Sequence, residues 1–151
     1  MGASRGYIFL SKISPKRLEL PIKDKDALVE IVGKYVRNGE IGVPGAYIFT
    51  NKNKNFSYVG SSILLANRLA TGYLANKRGS RKIDLAIKDA GLDSFYLDLY
   101  ILPKELLENL DNTVDNGKIK SLTLALEQIL ILEKNPEYNV LKVAGSPYPL
   151  L

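Results

Sequence analysis

The chain has 151 residues, the size of one domain, and at 46% hydrophobic and 25% charged it has the composition of a globular fold. It contains no Cys and no His, which removes disulfides, zinc ribbons, iron–sulfur clusters, thiol nucleophiles, the serine triad and any imidazole base or ligand. Catalysis must then run on Tyr, Lys, Arg, Asp, Glu, Ser, Thr or a metal held by oxygen, and a formal charge of +5 shifts expectation mildly toward nucleic acid. No apolar run reaches membrane-spanning length, and no apolar stretch follows the first five residues as a signal peptide requires.

In chain order, residues 8–21 set alternating apolar positions among Lys12, Lys16 and Arg17 and read as a basic arm poor in strand. Leu28, Ile31, Val32 and Tyr35 recur at helical spacing and predict an amphipathic helix over 24–38. Asn38-Gly39 and Gly42-Val43-Pro44-Gly45 are breakers, so a new unit is expected from Gly45, dividing the chain into 1–44 and 45–151. Segments 46–50 and 56–60 are β-rich around the polar turn 51–55, a hairpin signal that makes Tyr47 and Tyr58 cross-strand partners on one face. Ser61 or Ser62 is expected to cap a helix reaching Leu74, with Leu65, Leu69 and Tyr73 on one stripe. A second helix over 83–90 stops at Gly91, a third strand covers 95–102, a short helix 104–110, and 111–120 reads as loop. Residues 121–134 carry apolar side chains around nearly the whole circumference, which predicts a central, buried helix ended by Pro136.

Glu127 is the oddity in that last helix, because a carboxylate among apolar neighbours is costly unless it is paired or binds a cation. Its ordinary explanation is an ion pair or a wet strip shared with Thr123 and Lys134; for Arg68 it is a solvated helix surface, for Tyr47 and Tyr58 cross-strand packing, and for Asn139 a turn.

Taken in order, Gly45-Ala46-Tyr47, Tyr58-Val59-Gly60-Ser61-Ser62, Arg68, Glu127 and Asn139 resemble the GIY-YIG nuclease family, over roughly 45–146 and with the family's spacing from Gly60 to Arg68. Residues 136–146 are especially similar to intron-encoded homing endonucleases of fungal mitochondria. The resemblance implies an α+β fold, with a small three-stranded antiparallel sheet flanked by helices and an N-terminal extension. It also implies a DNA endonuclease of homing type, working on double-stranded DNA in mitochondria with Mg²⁺ or Mn²⁺. In that family's terms Glu127 holds the ion, Arg68 clamps the phosphate, Tyr47 activates the water, Tyr58 orients water or phosphate, and Asn139 braces the site, with Glu127 as the group it would fix. A phenol serves as a base at neutral pH only if nearby cations lower its pKa, a tuning expected from Arg68 or a metal-bound water. Where many relatives carry His or Tyr one turn after the Arg, this chain has Gly72 followed by Tyr73, which is the candidate to take over. Lys12, Lys16 and Arg17, with Lys23 and Lys25, and Lys77, Arg78, Arg81 and Lys82 form two basic clusters able to follow a phosphate backbone, or to serve as ordinary solubilising charge. Two other readings stand beside the homing enzyme: a non-catalytic nucleic-acid or ribonucleoprotein-binding module, motivated by Ala46, Gly72 and the lack of His, and a structure-specific repair nuclease. One domain offers one site, so cutting both strands would need a dimer, a second visit or a tether.

Overall fold

The computed structural model of the protein describes residues 10–33, 36–37, 40–41, 43–74, 81–103, 106, 116–140 and 142–144. Strands β1 (Lys16–Glu19), β4 (Gly45–Asn51), β5 (Ser57–Ser62) and β6 (Phe95–Ile101) form an antiparallel sheet in the order β1-β6-β4-β5, and β2 (Val36–Arg37) pairs with β3 (Glu40–Ile41) separately. The main sheet therefore has four strands where three were expected. The segment read as a basic arm supplies the fourth, and its Leu20, with Leu28 and Val32 beyond it, enters the same core as the sheet.

Helix α1 (Lys25–Val32) starts where the Asp24 side chain accepts the Ala27 N–H at 2.9 Å. It ends well short of residue 38, because Gly33 turns to φ 95° and leaves the helix. The hairpin turn between β4 and β5 forms as expected. The Asn51 side-chain oxygen accepts the N–H groups of Asn53 and Lys54, and Asn55 takes a left-handed φ of 58°. The register sets Tyr47 opposite Gly60 and Tyr58 opposite Phe49. The two phenols thus share a face but are diagonal neighbours, 6.4 Å apart between ring centroids, not direct partners.

Ser62 accepts the Leu64 N–H and opens α2 (Leu65–Leu69), which widens into a π-helical turn (Ala70–Leu74) instead of continuing as α-helix. Helix α3 (Lys82–Ala90), a 3₁₀ turn (Leu92–Ser94) and α4 (Asn116–Lys134) complete the described elements. Residues 116–120, expected as loop, are the first turns of α4, and the short helix expected over 104–110 lies outside the described residues apart from Leu106.

Three layers result. Tyr47, Phe49, Leu97 and Leu99 pack under Leu28 of α1, Leu65 and Leu69 of α2 and Ile83 of α3. On the opposite face Ala46, Ile48 and Val59 pack against Leu126, Leu130 and Ile131 of α4. Helix α4 is consequently an outer layer with one buried side, and Leu132, at 73% exposure, faces away. Strand β5 is the sheet edge at which both faces can be reached.

Candidate active site

A pocket of about 380 Å³ opens at the β5 edge. Tyr47, Tyr58, Arg68, Glu127 and Asn139 all line it, together with Ser61, Lys120 and Thr123. The phenols come from one face of the sheet and the carboxylate from the helix on the other, so the site is assembled around the rim of an edge strand.

Tyr47 is buried and the end of its ring packs against Gly60 across the hairpin. A Cβ at residue 60 would stand 2.5 Å from the Tyr47 ring, which is why the second motif needs glycine there. The Tyr47 hydroxyl sits 3.2 Å from that of Tyr73, a buried residue on the π turn. Tyr73 thus stands beside Tyr47, while Gly72 keeps the position under Arg68 open, its nearest neighbour being Arg68 Cδ at 3.9 Å from a built Cβ. Burial, followed by the Tyr73 and Tyr58 phenols, pushes the Tyr47 pKa well above the ordinary phenol value, and Arg68 opposes this only weakly. Tyr58 moves up for the same first reason. Arg68 does lower the Tyr47 value, but desolvation outweighs the guanidinium, so in the protein alone the group is a neutral phenol. Arg68 lies exposed at the pocket wall, and the Tyr47 phenol, as the largest influence, raises its pKa further.

Glu127 is buried at 7% exposure, and Ser61 Oγ donates a short hydrogen bond of 2.5 Å to it. Ser61 was not singled out from the sequence as a site residue; its signal is the β alternation, which turns residue 61 toward α4 while Tyr58 and Gly60 face the other layer. Lys120, Thr123 and Glu127 follow at i, i+3 and i+7 on α4, one stripe facing the pocket. Thr123 donates back to the Ile119 carbonyl at 2.7 Å.

Among the described residues Asn139 makes no hydrogen bond to Glu127. It works as a surrogate strand partner: its Oδ1 accepts the Val59 N–H at 2.8 Å and its Nδ2 donates to the Val59 carbonyl at 2.9 Å. The Ser57 N–H donates to Glu137 Oε1, and the Tyr138 N–H to the Ser57 carbonyl, both at 2.9 Å. Residues 137–139 so cover the outer edge of β5 as far as Val59 and leave Gly60–Ser62, the pocket floor, to the site.

The basic clusters fare differently. Arg17 forms a two-point pair with Asp98 at 2.9 and 3.0 Å and lies over the Tyr96 ring, on the opposite edge of the sheet from the pocket. Lys16 donates to the Ile31 carbonyl, and Lys82 to the Glu137 carbonyl. Lys12 is exposed, and Lys77 and Arg78 lie outside the described residues. Arg81, assigned to the backbone-following cluster, is instead largely covered, donating to Asp84 and to the hydroxyls of Tyr58 and Tyr73. Among the described basic residues of those clusters, none lines the pocket; Arg68 and Lys120 are the cations on its described wall.

Among the described residues Glu127 is the one carboxylate on the pocket wall, and no group of three or more acidic side chains converges anywhere. A single carboxylate is a donor set that Mg²⁺ or Mn²⁺ accepts, since such ions take one or two carboxylates while keeping several waters. The arrangement offers one carboxylate, the Arg68 and Lys120 cations and two phenols around one shared pocket. Among the described residues no helix is long and apolar enough to cross a membrane.

The GIY-YIG catalytic domain family matches residues 43–139. A UvrABC system protein C of Pseudothermotoga lettingae is 32% identical over 110 residues, covering 72% of this chain. The chain spans 16% of that relative's length. No solved structure matches.

Proposed function

The chain belongs to the GIY-YIG catalytic domain family, and we propose that it is a divalent-metal-dependent endonuclease that hydrolyses phosphodiester bonds of double-stranded DNA. The observation that carries this reading is the convergence of Tyr47, Tyr58, Arg68 and Glu127 on one pocket from both faces of an edge strand.

Glu127 would hold Mg²⁺ or Mn²⁺, with Ser61 fixing the carboxylate. Such an ion, when bound, lowers the pKa of water and offsets charge on a phosphoryl oxygen. Arg68 presents its planar fork to the non-bridging oxygens, where charge grows in the transition state. Tyr47 and Tyr58, held protonated by burial, orient water and phosphate as hydrogen-bond donors and do not abstract the proton themselves. Asn139 acts one step back, by fixing the edge strand on which Tyr58 and Ser61 stand. Lys120 adds positive charge at the mouth.

The homing type rests on the likeness of 136–146 to fungal mitochondrial intron-encoded enzymes, and the mitochondrial setting comes with it. A structure-specific repair nuclease is the second reading, favoured by the likeness to a UvrABC system protein C. Branched or damaged duplex cut faster than linear duplex selects the second, and equal or slower cutting the first.

The test is nicking of supercoiled plasmid. Cutting should require Mg²⁺ or Mn²⁺, stop with chelator, and fall by at least about 10²-fold in Glu127→Ala and Arg68→Ala. Salt-dependent DNA binding without any metal-dependent cutting would replace this reading with the non-catalytic module.

A further inference from the structure

We propose that Arg81 is a positioning residue of the nuclease site: fastened to Asp84, it sets the direction of a hydrogen-bond chain through Tyr73 that leaves the Tyr47 hydroxyl hydrogen aimed into the pocket. The inference rests on the nuclease reading and adds to it a residue that does not line the pocket.

Asp84 is buried at 1% exposure in the first turn of α3. It accepts from Arg81 Nε at 2.9 Å, from Nη2 at 3.1 Å and from the Arg81 backbone N–H at 3.3 Å. The cation is therefore held by its own helix start, with its side chain only 16% exposed, and is poorly placed to track a DNA backbone. Its remaining reach goes inward: Nη2 donates to Tyr73 Oη at 3.2 Å and Nη1 to Tyr58 Oη at 3.3 Å.

A guanidinium can only donate, and a phenol has one hydrogen. When Arg81 donates to the Tyr73 and Tyr58 oxygens together, the Tyr73 hydrogen is turned away from the cation; of the two phenols it can reach, Tyr58 already accepts from Arg81, and the Tyr47 oxygen, 3.2 Å off, takes it. A hydroxyl whose oxygen accepts from a cation is also a stronger donor. Tyr47, accepting from Tyr73 and from the Arg68 guanidinium, then keeps its own hydrogen for the pocket it lines. The polarity runs Arg81 to Tyr73 to Tyr47 to substrate. The π turn makes the link by carrying Tyr73, five residues after Arg68, to the hydroxyl of Tyr47. Arg81 thus gives Tyr73 a direction that sequence position alone does not specify.

The experiment compares Arg81→Met, which keeps the stem and removes every donor, Arg81→Lys, Tyr73→Phe and the double variant R81M/Y73F. Plasmid nicking should lose about 10²-fold in kcat in Arg81→Met with KM for DNA unchanged. Arg81→Lys should recover part of the loss. The double variant should be no slower than the worse single, because both changes cut one chain. A loss carried by KM with a shallower salt dependence of binding would make Arg81 a phosphate contact and overturn the proposal, as would additive losses. A second readout does not need cutting: proton NMR of the wild type should show an exchange-protected tyrosine hydroxyl that disappears in Arg81→Met and in Tyr73→Phe while amide signals of β1 and α4 stay in place. A hydroxyl signal unchanged by Arg81→Met overturns the proposal. A wild type that does not cut while the hydroxyl behaves as described overturns the nuclease reading and leaves the chain standing.

Discussion

The two outer strands of the sheet, β1 and β5, are both polar and both lie near cations, yet they are built differently. At the β1 side Arg17 is paired with Asp98, and Lys52 donates to Glu19 at 3.0 Å and to the Asp93 carbonyl at 3.1 Å, both cations flanking the Tyr96 ring. The charges there neutralise one another and tie loops to the sheet. At β5 residues 137–139 cover half of the edge, and the other half faces a pocket holding a buried carboxylate, an exposed guanidinium and two phenols. Counting cations along the chain points to the first region. Asking which donors are already engaged by protein points to the second.

The sharpest break of this contrast comes from Glu127. Glu127→Gln keeps an acceptor for Ser61, so the midpoint of thermal unfolding should barely move, while the nicking rate should fall by about 10²–10³-fold. A wild-type rate would make β5 no more a site than β1. Arg68→Ala should cost about 10²-fold in kcat with little change in stability, because Arg68 is exposed. Asn139→Ala leaves the Val59 N–H and carbonyl at the sheet edge without their partner and should lower unfolding free energy in urea by about 1–3 kcal/mol.

Alkaline pH probes the same edge. Tyr47 and Tyr58 have folded pKa values above the unfolded one, near 10, so the folded state binds more protons there than the unfolded chain at high pH. Their stabilising contribution is complete below about pH 10 and is lost as pH climbs through the folded values, and Tyr47→Phe should flatten that fall in urea midpoints. Stability that rises above about pH 10 would contradict the burial of the phenols. The smallest effect belongs to the opposite edge: Arg17→Ala should cost at most about 1 kcal/mol, since the pair is partly solvated, and should leave DNA affinity and its salt dependence unchanged. A shallower salt dependence in that variant would restore the basic-arm reading.

The candidate site was legible because its chemistry sits in rare residues at ordered positions: a carboxylate in an apolar helix, a Gly opposite a Tyr, an Arg eight residues beyond that Gly. The hairpin was legible too, since its turn is a run of Asn and Lys between an apolar β4 and the Tyr58-Val59 pair of β5. What escaped has local physical reasons. Strand β1 is four residues long and three of them are charged, so alternation shows only Leu18. Its pairing with β6 joins residues about 80 apart, which no local pattern encodes. Helix α4 looked buried all round because Leu132 is apolar, yet an outer helix tolerates an exposed Leu. The π turn, the Arg81–Asp84 anchor and the Asn139–Val59 bridge depend on tertiary packing, and propensity carries no trace of them. Tyr47 was expected to be tuned downward by charge; Arg68 does lower it, and the depth of its burial, visible only in three dimensions, outweighs that contribution.

The most direct measurement is a crystal soaked in Mn²⁺ with the anomalous signal mapped. The account predicts an ion on the Glu127 carboxylate, inside the pocket shared by Tyr47, Tyr58 and Arg68, and its loss in Glu127→Gln. An ion bound at Asp98 or Glu137 instead, with Glu127 bare at a concentration that supports DNA cutting, would contradict it.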